Sequence, residues 1–496
     1  MKGQELKEQN LNQKLYFHRI GEPQSRDVLV YERPDQPKWG LHGGETEDGK
    51  YLMISVSLGT KDENAVFYRD LSAGPQAPVV ELLPKFDADY SLVGTVGDRF
   101  YFLTTKGAPN KRVIAMDVKR PGAEHWEVII PESELVITGA HFLGGKWIIE
   151  RMKDAHDGIT VYDAAGKPLS GIPLPNFGSA GGFGGRQDDV ETFYTVTGFD
   201  TPGTIYRYDT RTGESRVHQQ TEMDFDAAGV VVSQVFFRSR DGTQVPIFLF
   251  HKKGLVKDGN NPVLLYGYGG FNISLTPAFS PSRLAWLEMG GVYAQVTLRG
   301  GGEYGQAWHE AGMKARKQNV FDDCIGAAEF LVKEQWTKPS RLALQGGSNG
   351  GLLVGAVINQ RPDLFAAALP QVGVMDMLRF HKFTIGWAWQ EEYGSPEEAA
   401  DFPVLRSYSP LHNIKAGGPW PAVMVMTGDH DDRVFPAHSF KYAAELQHLR
   451  PAGAPVLLRV DRRAGHGAGK PTVKALEETA DAYAFLAEAL GMQEKP

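Results

Sequence analysis

The sequence has very little cysteine and lacks the usual features of exported, membrane-spanning or zinc-dependent proteins. Its one cysteine, Cys324, cannot form a disulfide within the chain, which favours a reducing compartment and a buried packing role for this side chain. No apolar run is long enough to span a bilayer, and the first ten residues are too polar for a secretory signal. No His-Glu-x-x-His pattern is present, so we predict no catalytic metal and no cofactor.

Charge and length set further limits on the class of protein. The net charge of -8 at pH 7 argues against nucleic-acid binding. A chain of 496 residues, 42% of them hydrophobic, is long enough for two or more domains with large cores. We therefore predict a soluble globular protein without nucleic-acid or membrane partners. A cytoplasmic location is expected, the alternative being a signal lost upstream of the first residue, and the oligomeric state is left open.

The most informative segment is Gly346–Gly351, which reads Gly-Gly-Ser-Asn-Gly-Gly. A strand-like run, Arg341–Gln345, precedes it, and a helical pattern, Leu352–Ile358, follows. A serine between glycines on a tight strand-to-helix turn is typical of the nucleophile elbow of an α/β-hydrolase. The sequence therefore predicts Ser348 as a nucleophile and the backbone N–H of Asn349 as an oxyanion donor. The alternative is a plain turn rich in glycine and serine.

An acid and a histidine follow the serine in the order that this fold requires. The strand-like run Ala422–Thr427 leads into a loop with three aspartates. The pattern Gly-x-x-Asp-x-x-Val-x-Pro selects Asp431 among them, the others being Asp429 and Asp432. His466 lies in a glycine-rich loop after the last strand-like run, a position that suits a general base. Its alternative is a surface histidine without a catalytic role.

The first half of the chain is repetitive. Hairpin-like units, each with a short apolar strand, a polar loop and a second strand, begin near Leu15, Tyr51, Phe100, Trp147 and Phe193. Their later spacing of about 47 residues is typical of β-propeller blades. The repeats stop before Val230, after which strands and helices alternate. We predict a partial β-propeller of about five blades over residues 1–228. Residues 229–496 are predicted to form an α/β-hydrolase catalytic domain, a mainly parallel sheet with helices on both faces.

Long motifs in the second half resemble those of a known family. They are Leu265–Asn272, Arg299–Gly305, Gly346–Gly351, Gln371–Met377, Asp429–Val434 and Ala464–Pro471. From about Val230 to its C terminus the chain closely resembles the prolyl oligopeptidases, serine peptidases that cut short peptides after proline. Members of that family have a seven-bladed propeller preceded by an N-terminal segment. The comparison leads us to expect that this chain lacks the segment and the first blades.

The resemblance implies roles for individual residues at the reaction centre. It implies a catalytic triad of Ser348, Asp431 and His466, in agreement with the motif spacing. It also implies an oxyanion hole formed by the Tyr268 hydroxyl and the Asn349 backbone amide.

The resemblance further implies a pocket for the substrate proline. Trp389 would stack on the proline ring, Phe271, Val374 and Tyr393 would line the pocket, and Arg433 would bind a substrate carbonyl. An aromatic slot suits a flat apolar ring, and a guanidinium suits carbonyl oxygens. Without the resemblance, Trp389 and Tyr393 would be interpreted as ordinary core aromatics.

The sequence therefore predicts a serine endopeptidase that acts on short proline-containing peptides. The alternatives are a related oligopeptidase of other specificity, an esterase on the same fold, and an inactive fragment that acts as a binding module. A preference for basic residues would need acidic side chains in the pocket, and we interpret Glu391 and Glu392 as spacers. Gly300–Gly305 matches a dinucleotide-binding pattern, but the next clear helix is predicted only near Val320, which argues against nucleotide binding.

Overall fold

A computed structural model of the chain describes residues 9–74, 76–175, 177–224, 227–450 and 453–492. Residues 1–8, which carry most of the polar N terminus discussed above, lie outside these ranges. Small antiparallel sheets occupy the chain as far as Gln220. From Val230 onward the strands join one mixed sheet covered by helices.

The first part of the chain contains one two-stranded and four four-stranded antiparallel sheets in its described residues. The two-stranded sheet comprises β1 (Lys14–Phe17) and β2 (Val28–Glu32). The first two four-stranded sheets comprise β3 (Trp39–Glu45), β4 (Tyr51–Leu58), β5 (Ala65–Asp70) and β6 (Val79–Leu83), then β7 (Tyr90–Val96), β8 (Arg99–Thr104), β9 (Arg112–Asp117) and β10 (Glu127–Ile130). The next two comprise β11 (Val136–Leu143), β12 (Lys146–Lys153), β13 (His156–Asp163) and β14 (Pro168–Ile172), then β15 (Ser179–Gly184), β16 (Glu191–Thr197), β17 (Thr204–Asp209) and β18 (Glu214–Gln220).

Each four-stranded sheet is a meander, the form of a propeller blade. The repeat units near Tyr51, Phe100, Trp147 and Phe193 are the central hairpins of these four sheets, whereas the unit near Leu15 is the two-stranded sheet. Neighbouring blades pack through buried aromatic side chains, as where the rings of Tyr51 and Phe100 meet edge to face at 5.0 Å between centroids. Each repeat of the sequence thus corresponds to one blade, and its buried aromatic side chains pack against the neighbouring blade.

The second part of the chain is built on an eight-stranded sheet with the order β19-β20-β22-β21-β23-β24-β25-β26. Its strands are β19 (Val230–Arg238), β20 (Gln244–Lys252), β21 (Val263–Tyr266), β22 (Val292–Val296), β23 (Leu342–Gly347), β24 (Ala367–Gln371), β25 (Ala422–Gly428) and β26 (Val456–Asp461). β20 pairs antiparallel with β19 and β22, and the remaining pairs are parallel. The helices are α1 (Pro281–Glu288), α2 (Gln306–Glu310), α3 (Gln318–Lys333), α4 (Asn349–Gln360), α5 (Gln390–Tyr393), α6 (Phe402–Tyr408), α7 (Ala437–Leu449) and α8 (Thr472–Ala489).

Both faces of the central strands of this sheet are buried, which explains their continuous apolar runs. Val263 and Leu265 belong to the core shared with α3, α4 and α7, whereas Leu264 faces the core shared with α1 and α8. Cys324 lies fully buried in the first of these cores, where burial raises the pKa of its thiol. The α/β-hydrolase architecture predicted from the sequence is confirmed.

One local prediction was wrong. The sequence indicated no helix directly after Gly305, but α2 begins at Gln306. The turn into it uses the positive φ of Gly305, 78°, which a side chain would disfavour. The helix spans only five residues and owes its place to tertiary contacts, including that of Nδ1 of His309 with Oδ2 of Asp62 at 2.8 Å.

The propeller lies directly against the catalytic domain. Ser179 donates a hydrogen bond to the carbonyl of Pro277 at 2.7 Å, and the hydroxyl of Tyr304 donates to Asp154 at 2.8 Å. These contacts connect different blades to the loops around the catalytic sheet. In the described part of the chain, no helix combines the length and apolar character needed to cross a bilayer.

Candidate active site

Ser348 occupies the sharp turn between β23 and α4. Its backbone has φ 59° and ψ -118°, a strained conformation for a residue with a side chain. The chain can turn this tightly because a Cβ atom on Gly346 would lie 2.4 Å from the carbonyl oxygen of Gly350, so a glycine is needed there. The turn leaves Ser348 half-buried at the carboxyl end of the central strands, which is the geometry expected of a nucleophile elbow.

Asp431 and His466 meet beyond the ends of β25 and β26, the last two strands of the sheet. Nδ1 of His466 lies 2.7 Å from Oδ2 of Asp431. The other carboxylate oxygen accepts the backbone N–H groups of Arg433 and Val434, at 3.0 and 2.9 Å. The Asp431 side chain is fully buried and His466 remains 14% exposed. A buried carboxylate held on both oxygens can orient an imidazole and leave its other nitrogen available as a base.

The loop of the acid and the loop of the histidine are bound together along their backbones. His430 donates its N–H to the carbonyl of Ala464 at 3.0 Å, and Asp429 donates to that of Asp461 at 3.0 Å. The carboxylate of Asp429 accepts from the imidazole of His430 at 2.6 Å and from the N–H of Ala464 at 3.3 Å. Asp429 thus stabilises the loops without contacting His466, and Asp432 is exposed.

Tyr268 and Asn349 lie beside the serine. The Tyr268 phenol lies close to the Ser348 side chain, and burial raises its pKa to about 12, so it is a protonated donor at neutral pH. The backbone N–H of Asn349 belongs to the first turn of α4, where amides have no acceptor within the helix. Two donors therefore face the region of the nucleophile, an arrangement able to stabilise an oxyanion.

The Asn349 side chain links this region to a cluster of aromatic rings. Its Nδ2 donates to the carbonyl of Tyr268 at 2.7 Å, and its Oδ1 accepts from the hydroxyl of Tyr393 at 2.9 Å. The ring of Tyr393 meets that of Phe271 edge to face at 5.4 Å between centroids. Trp389 is 8% exposed and belongs with Val374 and Tyr393 to the same buried core. Ring contacts thus connect three of the residues implied for a proline pocket, Phe271, Tyr393 and, through Phe380, Trp389, and Val374 lies in the same core.

Arg433 stands apart from the ring cluster. Its residue is exposed, and only its backbone contacts Asp431. Burial raises the pKa of Tyr268, and the positive charge of Arg433 acts against that effect. Among the described residues no hydrogen bond or ion pair engages the guanidinium, so it is available to a ligand.

Sequence reasoning missed several residues that shape the site. Phe380 packs between the proposed pocket rings, parallel to Trp389 at 6.4 Å and edge to face with Tyr393 at 5.5 Å. Glu392, interpreted as a spacer, is buried in a charge cluster with His309 and Lys317. No local sequence motif indicates these contacts, because the residues that form them are far apart in the chain.

Comparisons with known proteins match both halves of the chain. The family described as "Prolyl oligopeptidase family" matches residues 277–493, and "Prolyl oligopeptidase, N-terminal beta-propeller domain" matches residues 1–221. The prolyl endopeptidase of Elizabethkingia meningoseptica is 44% identical over 97% of this chain and 68% of its own length. The prolyl endopeptidase of Dictyostelium discoideum is 39% identical over 98% of this chain and 67% of its own length.

Solved structures give the same result. A prolyl endopeptidase structure that is 41% identical superimposes with a TM-score of 0.93 over 97% of this chain and 70% of that chain. Oligopeptidase B from Leishmania major, 28% identical, gives 0.90 over 97% of this chain and 69% of that chain. The chain therefore belongs to the prolyl oligopeptidase family and is a serine peptidase with an N-terminal β-propeller domain.

Proposed function

We propose that this chain cleaves short peptides on the carboxyl side of proline through a Ser348–Asp431–His466 triad. The observation that carries the proposal is the position of Asn349. One end of its side-chain amide holds Tyr268 and the other holds Tyr393, so the proposed oxyanion donors and the aromatic cluster form one hydrogen-bonded unit. A ring held by that cluster would place its carbonyl next to Ser348.

The proposed reaction proceeds through an acyl-enzyme. His466 takes the proton of the Ser348 hydroxyl as the oxygen attacks the carbonyl carbon of proline, and Asp431 stabilises the resulting imidazolium. The Tyr268 hydroxyl and the Asn349 N–H stabilise the oxyanion. His466 then protonates the leaving amine, and water, activated by the same imidazole, releases the peptide acid.

Specificity for proline is assigned to the aromatic cluster. Proline presents a compact apolar ring without an N–H, which stacking against Trp389 and burial against Phe271, Val374 and Tyr393 would stabilise. Arg433 would bind a carbonyl oxygen of the peptide. Because propeller loops contact the loops around the site, we infer that substrates are peptides small enough to enter between the domains.

A preference for basic residues is the main enzymatic alternative, since the chain also resembles oligopeptidase B from Leishmania major. Two acidic residues adjoin the aromatic cluster. The carboxylate of Glu392 is occupied by His309 at 2.8 Å and Lys317 at 3.4 Å, so it offers no free charge to a substrate arginine. Glu391 faces a cavity of about 590 Å³ between the domains. The occupied carboxylate of Glu392 favours proline over a basic residue in the aromatic cluster.

The test is a matched set of chromogenic peptides that differ only in having proline, alanine or arginine before the scissile bond. We expect kcat/KM to be highest for proline and to be lost in Ser348→Ala, because removal of a triad member typically costs several orders of magnitude. Circular dichroism of the variant checks that it is folded. Preference for arginine would favour the alternative specificity, cleavage of esters alone would favour an esterase, and a folded wild-type protein without activity would favour a binding module.

A further inference from the structure

A buried chain of charges runs from the propeller to the proposed proline pocket. Oδ2 of Asp62, on the loop between β4 and β5, lies 2.8 Å from Nδ1 of His309. Nε2 of the same imidazole lies 2.8 Å from Oε2 of Glu392, and Oε1 of Glu392 lies 3.4 Å from Nζ of Lys317. His309, Glu392 and Lys317 are at most 3% exposed, whereas the side chain of Asp62 is 38% exposed.

Glu392 is the member of this cluster that touches the site. It directly precedes Tyr393, and its carboxylate lies close to the backbone N–H of Phe271. Phe271 has φ 57°, a strained value for a residue with a side chain, so a carboxylate close to its N–H helps to hold an unfavourable backbone. Lys317 also donates to the carbonyl of Gly269 at 2.9 Å. The cluster therefore supports the segment that carries both Tyr268 and Phe271.

The same propeller loop makes a second contact with the pocket. The backbone N–H and the hydroxyl of Thr60 both donate to the carbonyl of Ala388, at 3.2 and 2.9 Å. A Cβ atom on Gly59 would lie 2.8 Å from that carbonyl, so the two backbones are in close contact. Ala388 directly precedes Trp389. Residues 59–62 thus contact one end of the segment that carries Trp389 and Tyr393 directly, at Ala388. They reach its other end, at Glu392, through His309.

The charges of the cluster need one another because three of them are buried. Glu392 accepts from His309 and Lys317, and a buried carboxylate without such partners would be strongly disfavoured. His309 can donate to both carboxylates only as an imidazolium, and Asp62 supplies the acceptor for its second nitrogen. The propeller therefore contributes the partly exposed carboxylate of Asp62, which stabilises the buried ion pair of His309 and Glu392.

We propose that Asp62 is a positioning residue for specificity, which acts through His309 and Glu392 to hold Phe271 and the Tyr268 loop in the geometry that selects proline. The proposal rests on the proposed function, because it takes the aromatic cluster as the proline pocket. It goes further in assigning part of the selectivity to a side chain on the other domain. Asp62 itself does not touch the substrate.

The test compares Asp62→Asn with two matched variants. Glu63→Gln removes the neighbouring carboxylate of the same loop, which lies 3.6 Å from Lys61 and contacts no pocket residue in the described structure. Tyr304→Phe removes another hydrogen bond between the domains, the one to Asp154. Asp62→Glu serves as the conservative variant that keeps the charge. The measured quantity is the ratio of kcat/KM for the proline peptide to kcat/KM for the alanine peptide.

We expect Asp62→Asn to lower this ratio by about fivefold or more, the lower end of the range for energetic coupling between sites. Asp62→Glu should recover most of the ratio, and the other two variants should keep it. Because Asp62 is partly exposed, its variants should fold, which thermal unfolding checks.

An unchanged ratio in Asp62→Asn overturns the inference while leaving the proposed function intact. An equal fall in Tyr304→Phe overturns it as well, because general docking of the domains would then explain the effect. If the wild-type protein itself shows no preference for proline, the proposed function fails instead.

Discussion

Oδ2 of Asp431 accepts the Nδ1 proton of His466 across 2.7 Å, while its other oxygen accepts two backbone N–H groups. The carboxylate is fully buried, so these bonds compensate for its lost hydration. These hydrogen bonds also fix the orientation of the Asp431 carboxylate. The imidazole is thereby held in the tautomer that keeps Nε2 available as a base.

This relationship predicts a large difference among three neighbouring aspartates. Asp431→Asn should lower kcat for the proline peptide by about 10⁴-fold, because an amide favours the wrong imidazole tautomer. Asp429→Asn should have a small effect, since Asp429 contacts His430 and Ala464 rather than His466. Asp432→Asn, at an exposed position, should be near wild type. Steady-state kinetics measure all three, and equal losses at Asp431 and Asp432 would contradict the assignment.

The Tyr268 hydroxyl should matter to the transition state more than to binding. Tyr268→Phe should lower kcat by about 10²–10³-fold, the usual effect of removing one oxyanion donor. KM should change little, because the hydrogen bond forms only as charge develops on the carbonyl oxygen. Tyr266→Phe is the control, as it removes a phenol hydroxyl two residues earlier at the end of β21. A loss expressed only in KM would argue that Tyr268 contacts the ground state.

Trp389 should determine the choice between proline and alanine. Trp389→Ala should reduce the ratio of kcat/KM for the two peptides by at least about tenfold, which corresponds to about 1.4 kcal/mol. Stacking contributes about 0.5–1.5 kcal/mol and the lost burial adds to it. Trp387→Ala is a matched control, because Trp387 lies on the same turn and is equally buried, at 9% against 8% exposure. Equal loss of selectivity in both variants would remove Trp389 from its proposed role.

The Asp62–His309–Glu392 cluster predicts an alkaline loss of stability. Burial disfavours the imidazolium of His309, but hydrogen bonds to Asp62 and Glu392 outweigh it and raise its pKa to about 9 from an ordinary value of 6.5. A raised pKa means that stabilisation is complete below about pH 6.5 and is lost as the pH rises through about 9. Lys317 is the other charged group facing Glu392, and burial lowers its pKa.

The corresponding measurement is the thermal midpoint of the wild-type protein and of His309→Gln between about pH 7 and about pH 10. The wild-type protein should be the more stable at the lower pH, and the difference should shrink as the pH rises. Titrations that both proteins share cancel in this comparison. A difference that stays constant over the range would show that His309 is not charged in the folded protein.

Much of the fold was predictable because it depends on local patterns. The strand before Ser348 and the helix after it follow from a continuous apolar run, a glycine-rich turn and a helical period. The blade hairpins were predictable for the same reason. The helix at Gln306–Glu310 was not, because contacts of His309 with the distant residues Asp62 and Glu392 stabilise it rather than its own propensity. The domain limits and the individual site residues stay predictions.

By itself the sequence determined the α/β sheet, the repeated hairpins, the order of Ser348, Asp431 and His466, and the family. These features depend on spacings of a few residues and on long motifs, so they can be recognised without knowledge of the tertiary structure. Only the tertiary structure decided that the carboxylate of Glu392 is occupied by His309 and Lys317, and that Asp62 and Thr60 of the propeller support the aromatic cluster. The reason is physical: the charge of a buried group is set by whichever partners surround it, and chain folding brings those partners from 247 residues away in the case of Asp62 and His309.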